Sequence, residues 1–115
     1  MAGVTIYHNP RCSKSRQTLA LLKEKGVKPE VIEYLKEPPD AKMLGEILDK
    51  LGLEPKDLMR KKEAEFKSLG LAGESDRGKL IKAMVDNPIL IERPIVIKGK
   101  KARLGRPPEQ VLDII

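Results

Sequence analysis

Cys12 is the only cysteine in this 115-residue chain, and it stands in the run His8-Asn9-Pro10-Arg11-Cys12-Ser13-Lys14-Ser15-Arg16. A thiolate, not a thiol, is the nucleophile and is favoured by positive charge and by hydrogen-bond donors. The C-x-x-S spacing places Ser15 in the first turn of a helix beginning near Ser13, where its hydroxyl can donate toward the sulfur and lower the thiol pKa. The same hydroxyl can simply cap the helix, and the two roles are compatible. Arg16, one turn on, either adds positive field or is solvated. His8 is either an acid or base for the site or a residue that holds the turn. Arg11 and Lys14 read as surface. A lone cysteine excludes an internal disulfide, a C-x-x-C redox pair and a multi-cysteine zinc site, and with only His8 to assist, no metal site is expected.

Three arginines complete the inventory of chemically suggestive residues. Arg60 lies in Leu58-Met59-Arg60-Lys61-Lys62, Arg93 precedes Pro94, and Arg106 precedes Pro107. A guanidinium offers a rigid fork of donors at fixed charge, which suits a tetrahedral oxyanion. Each can equally be solvated or ion-paired, and spacing alone brings none of them to Cys12. Pro94, just before a strand, is a candidate for a cis peptide bond.

The elements that must position these groups follow from pattern. Val4-Thr5-Ile6-Tyr7 suits a strand, and Asn9-Pro10 breaks it. A helix is predicted over Ser13 to Lys25 with Gly26 as its stop, so Cys12 falls at a strand-to-helix turn. The first N–H groups of that helix are unpaired there and favour an anion. Val27 to Tyr34 reads as a second strand, parallel to the first across a short crossover. Pro38-Pro39-Asp40 marks a boundary, with Asp40 capping a helix from Ala41 to about Leu51 that presents Met43, Ile47 and Leu51 beside Leu44 and Leu48. A short helix over Glu54 to Met59, a partly helical Glu63 to Leu71, and a helix capped by Ser75 or Asp76 and carrying Leu80, Ile81, Met84 and Val85 follow. Ile95-Val96-Ile97 is a strand, Lys98 to Lys101 a turn, and Ala102 to Leu104 its antiparallel return. Pro107-Pro108-Glu109 opens a last helix with Val111, Leu112 and Ile115. The order is β-α-β, a helical block over roughly 40–87, then β-β-α. That is an α/β chain with a thioredoxin- or glutaredoxin-like mixed sheet and an inserted helical block, read as one domain over 1–115.

Composition narrows the partners. The formal charge is +6 and the pI about 9.5, yet Tyr7, Tyr34 and Phe66 are the only aromatics and the basic residues are dispersed. Nucleic-acid binding calls for clustered cations with stacking rings, so small anions are the better match and neither nucleic acid nor membrane is expected. No apolar run reaches the roughly 20 residues of a membrane span. The N-terminus lacks the features of a signal peptide, so a cytoplasmic location is expected.

The run from His8 to Arg16, together with Leu58-Met59-Arg60-Lys61, Asn87-Pro88-Ile89-Leu90, Arg93-Pro94-Ile95-Val96 and Arg106-Pro107, closely resembles the glutaredoxin-linked arsenate reductases, the ArsC family, and within it a shorter branch. The resemblance spans essentially the whole chain. It implies a thioredoxin-like fold with a cis bond at Arg93-Pro94, Cys12 as nucleophile, and Arg60, Arg93 and Arg106 as ligands of the oxyanion. It further implies that Ser15 lowers the thiol pKa and that His8 matches the family's upstream histidine. The activity implied is reduction of arsenate to arsenite with no bound cofactor, glutathione as co-substrate and glutaredoxin as partner. The residues between Cys12 and Ser15 depart from the family, being Ser13-Lys14 in place of Gly-Thr.

Three rivals stand beside that reading. A phosphatase-like cradle needs five residues between its Cys and Arg, and Cys12 and Arg16 have three. A monothiol oxidoreductase acting on glutathionylated proteins would use Cys12 without arsenic chemistry. A non-enzymatic regulator binding RNA polymerase would use the fold alone. The chain is expected to act as a monomer.

Overall fold

The computed structural model describes residues 3–115, so the reading of the N-terminus at Met1 and Ala2 lies outside the described residues. The chain divides into two compact units, one formed by the chain up to Glu37 with Arg93–Ile115, the other by Pro38–Glu92.

The first unit is built on a four-stranded mixed sheet. Strand β1 (Val4–His8) leads through the Asn9–Cys12 loop into helix α1 (Ser13–Glu24), and β2 (Glu30–Glu33) returns parallel to β1. The chain stops α1 at Gly26, which takes the left-handed φ of 79° that a residue with a Cβ resists. Strands β3 (Ile95–Lys98) and β4 (Lys101–Leu104) form a hairpin turned at Gly99-Lys100, with Gly99 at a φ of 61°. Strand β3 pairs antiparallel with β1, giving the order β2-β1-β3-β4. This is the thioredoxin-like sheet expected from the element order.

The inner strands β1 and β3 bury consecutive residues, so both of their faces are covered. Ile6 and Val96 are partners across β1 and β3, and both are fully buried with Leu22, Val111 and Ile114 in one core cluster. Burying side chains of this size contributes about 1.5–3 kcal/mol each. Tyr7 and Ile95, the next pair along the ladder, are buried as well.

The C-terminal segment departs from expectation. It is a 3-10 helix over Pro108–Asp113, not an α-helix. In a 3-10 turn residues three apart share a face, so Val111 and Ile114 enter the core while Leu112 turns outward at 39% exposure. Of the three apolar residues expected on this helix, Val111 is buried and Ile115 packs partly buried against the same core, so Leu112 alone faces out.

The second unit is helical. Helix α2 (Ala41–Leu51) is capped by Asp40, whose Oδ1 accepts the Met43 N–H at 2.8 Å, and ends at Gly52. It buries Leu44, Ile47 and Leu48, leaving Met43 partly exposed. A 3-10 turn at Pro55–Leu58, helix α3 (Ala64–Ser68), a second 3-10 turn at Leu71–Gly73 and helix α4 (Arg77–Asp86) follow. Asp76, not Ser75, caps α4, with its Oδ2 accepting the Lys79 N–H at 2.9 Å. A third 3-10 turn spans Pro88–Leu90, and the Arg60 N–H to Leu90 and Glu92 N–H to Leu58 bonds, both 2.7 Å, close the unit. Among the described residues no helix is long and apolar enough to cross a membrane.

Candidate active site

The loop that carries Cys12 is turned by one residue. The Asn9 carbonyl accepts the Cys12 N–H at 3.0 Å, and the Asn9 side-chain oxygen accepts the Arg11 N–H at 3.0 Å. Cys12 is then the N-cap of α1 with extended dihedrals, φ −94° and ψ 124°, and its carbonyl accepts the first helical bond, from Arg16 N–H at 3.0 Å. A helix begun this way directs its first N–H groups at whatever occupies the cap position, and here that is sulfur. The residue is 8% exposed. Burial pushes the thiol pKa up, but the backbone N–H groups of Ser15 and Lys14 and the charge and hydrogen bond of the Arg93 guanidinium outweigh it, so the pKa is lowered from its ordinary value.

Ser15 supports the thiolate through its backbone N–H, while its hydroxyl is engaged elsewhere. The Ser15 Oγ accepts the Asn9 N–H at 3.0 Å and shares a hydrogen bond of 2.6 Å with His8 Nδ1. Both residues are buried. Burial lowers the His8 pKa, the charges of Arg16 and Lys23 lower it further, and Glu33 opposes them. Glu33 is the parallel-strand partner of His8 across β1 and β2. Arg16 is tied down locally, its Nη1 donating to the Pro10 carbonyl at 2.9 Å.

The counter-charge arrives from the end of the β3–β4 hairpin. Arg106 Nη1 lies 3.9 Å from the Cys12 sulfur and donates to the Arg93 carbonyl at 3.4 Å. Arg93, two residues before β3, reaches the sulfur too. Both arginines precede prolines in cis peptide bonds, Arg93-Pro94 and Arg106-Pro107. Between them Gly105 donates its N–H to the Pro94 carbonyl at 3.0 Å, and Thr18 Oγ1 of α1 donates to the Gly105 carbonyl at 3.3 Å and to the Lys14 carbonyl at 2.8 Å. A Cβ on Gly105 would run into Thr18 Oγ1 and would meet Pro94 Cγ at 2.8 Å. Only glycine lets the hairpin end close on α1.

Of the residues singled out from the sequence, Cys12, Arg93 and Arg106 therefore converge on one sulfur. Ser15 and His8 form a buried pair behind it. Arg60 belongs to the helical unit, where its Nη2 pairs with Glu63 at 2.9 Å.

A cysteine of lowered pKa flanked by two guanidinia on a thioredoxin-like sheet is a combination that comparison with known proteins can test. The model of the ArsC family matches residues 7–114. The chain belongs to the ArsC family. It is 60% identical over 114 residues to the uncharacterised Escherichia coli protein YfgD, covering 97% of this chain and 96% of that one. It is 47% identical to an arsenate reductase of Neisseria meningitidis, with both chains fully covered. A solved arsenate reductase structure from Vibrio cholerae superposes with a TM-score of 0.96 at 49% identity, covering 99% of this chain and 98% of that one.

Four supporting residues of this ArsC-family chain were not singled out from the sequence: Asn9, Thr18, Glu33 and Gly105. Asn9 had a visible signal, since an Asn before proline favours a turn closed by its own side chain. Gly105 was a glycine between a strand and an arginine, a recognised mark of close backbone approach. Thr18 and Glu33 carry no local signal, because their partners are set by packing and strand register.

Proposed function

We propose that this protein is an arsenate reductase that works by a single-cysteine route in the cytoplasm. The observation that carries the reading is the Cys12 thiol, lowered in pKa by N–H groups of α1 and by Arg93, with the Arg106 guanidinium 3.9 Å from its sulfur. Family membership and the names of the relatives support arsenate as the oxyanion.

The Cys12 thiolate attacks arsenic(V), forming an S–As bond while one arsenate oxygen leaves as water after protonation. The guanidinia of Arg93 and Arg106 neutralise the oxyanion before and during the step. The chain has one cysteine, so the second thiol must come from outside. A glutathione thiolate attacks the Cys12 sulfur, the S–S bond forms, and the S–As bond breaks with its electron pair left on arsenic, which departs as arsenite. Two thiols are oxidised to one mixed disulfide as arsenic(V) becomes arsenic(III). Glutaredoxin, using further glutathione, returns Cys12 to the thiolate. No bound cofactor enters the cycle.

The test is a steady-state assay with arsenate, glutathione, glutaredoxin and its NADPH-driven recycling system. Arsenite formation in the wild type and none in Cys12→Ser is the expected result. Arsenite formation that survives Cys12→Ser would sink the mechanism. Removal of glutathione from a modified peptide with no arsenate turnover would instead establish the monothiol oxidoreductase.

A further inference from the structure

Thr18 is a polar side chain with no exposed surface, one turn beyond Lys14 on α1. A buried hydroxyl is costly unless it is bonded, and this one has two acceptors for its single proton. The Lys14 carbonyl lies at 2.8 Å and the Gly105 carbonyl at 3.3 Å. The first bond, to the carbonyl four residues back, is the kind that selects a threonine rotamer in a helix. It leaves Oγ1 against a residue 87 positions away. The methyl bears on the same place, since a Cβ on Gly105 would fall 2.9 Å from Thr18 Cγ2. Both arms of Thr18 therefore meet Gly105.

Gly105 is the residue before Arg106. Its N–H goes to the Pro94 carbonyl at 3.0 Å and its carbonyl to Thr18, so the backbone from which Arg106 departs is bonded on two sides. The guanidinium contacts at the site are long, 3.9 Å to the Cys12 sulfur and 3.4 Å to the Arg93 carbonyl. A long side chain aimed at such range depends on the backbone it starts from, and a misplacement of about 1 Å can cost about 100-fold in rate. We infer that Thr18 is a positioning residue: its hydroxyl, fixed on α1 by the Lys14 carbonyl, holds the Gly105 carbonyl and so sets the reach of Arg106 to the Cys12 sulfur. The Lys14 N–H supports that sulfur, so one turn of α1 holds both the nucleophile and the anchor of its counter-charge. The part Thr18 plays in arsenate reduction rests on the function proposed above. Its hold on the charge beside Cys12 does not.

Two variants separate the arms. Thr18→Val keeps the branched shape and removes the hydroxyl, leaving the Lys14 carbonyl its helical bond and the Gly105 carbonyl without this donor. Thr18→Ser keeps the hydroxyl and removes the methyl. The first measurement is the rate of Cys12 alkylation by anionic iodoacetate divided by the rate with neutral iodoacetamide, which reads the positive charge beside the sulfur. That ratio should fall about 3-fold or more in Thr18→Val and in Arg106→Ala, as a steering charge is moved or lost. It should hold in Thr18→Ser, and the double variant Thr18→Val with Arg106→Ala should fall no further than Arg106→Ala alone. A ratio unchanged in Thr18→Val or in Arg106→Ala, an equal fall in Thr18→Ser, or a double variant at the product of the single losses overturns the assignment. Should Thr18→Val fail to fold, Thr18→Ala takes its place against Thr18→Ser. The second measurement is arsenate turnover, where kcat/KM should drop about 10-fold in Thr18→Val and recover in Thr18→Ser. An unchanged value in Thr18→Val overturns the part of Thr18 in the reduction. Absence of arsenate turnover in the wild type would defeat the proposed function, while the alkylation ratio would still decide Thr18.

Discussion

The two halves of the candidate site are built by opposite strategies. The nucleophile half is contiguous: within nine residues, His8 to Arg16, the chain supplies the sulfur, the helix N–H groups that hold its charge, and the Asn9 turn that aims it. The anion half depends on topology. Arg106 is 94 positions from Cys12 and reaches it only because β3 lies antiparallel beside β1 and hands the hairpin end back to α1. A charge-stabilised cysteine is thus available from local sequence, whereas the guanidinia beside it, to which the proposed function assigns the oxyanion, are brought there by the folded sheet. The two halves should respond differently to mutation.

The largest effect is expected where the halves meet. Arg106→Ala should lower kcat/KM for arsenate by on the order of 100- to 1,000-fold, the usual cost of removing one donor aimed at developing oxyanion charge. Alkylation of Cys12 by iodoacetamide, which needs only the nucleophile half, should continue at a rate within a few-fold of wild type. Equal loss in both assays would show that the halves are not separable.

A smaller effect tests the joint itself. Gly105→Ala forces a Cβ into Thr18 Oγ1 and to 2.8 Å from Pro94 Cγ, and overpacking of that kind costs about 1–3 kcal/mol. Denaturant unfolding should show the loss, and KM for arsenate should rise as Arg106 moves. The double variant Gly105→Ala with Thr18→Ala opens the space and should recover part of the stability, a coupling of about 0.5–3 kcal/mol. Strict additivity would mean the contact is not the cause.

The same division explains what could be read from the sequence. Caps and stops are local chemistry, so Asp40 and Gly26 marked their helix ends correctly. So did the Cys12 position, because a proline-broken strand followed by a helical pattern leaves only one place for the turn. The Ser15 hydroxyl was legible as polar and near the sulfur, but its partners are His8 and Asn9, across a strand end that spacing does not reveal. The choice of a 3-10 over an α-helix at Pro108–Asp113 was equally hidden. It depends on presenting Val111 and Ile114 to the core cluster, which is a property of the sheet beneath and not of the segment. The convergence of Arg93 and Arg106 could be anticipated only through family resemblance.

Thiol titration sharpens the comparison further, since it reads both halves at once. The alkylation rate of Cys12 should rise with pH through a midpoint below that of an ordinary cysteine, because N–H groups of α1 and Arg93 overcome the effect of burial. Arg93→Ala should move the midpoint up without abolishing the depression, since the backbone donors of Ser15 and Lys14 remain. A midpoint already at the ordinary value in the wild type would remove the basis for thiolate nucleophilicity in this fold.

The smallest effect belongs to the pair behind the sulfur. His8 is buried and its pKa is lowered, first by desolvation and then by Arg16 and Lys23 against the pull of Glu33. The unfolded chain therefore binds a proton that the folded chain resists. Stability rises with pH wherever the unfolded state holds more protons, so the contribution of His8 is intact above the unfolded value of about 6.5 and is lost as pH falls through the lower folded value. Melting temperatures at about pH 7.5 and about pH 5, on either side of that unfolded value, should differ more in the wild type than in His8→Gln, which removes the titration. Part of the Ser15 hydrogen bond is lost in that variant at every pH, so its baseline stability should drop while its pH dependence flattens. Parallel curves for the two proteins would mean that His8 takes up its proton at the same pH in the folded and unfolded chains, and that its burial against Ser15 does not resist charging.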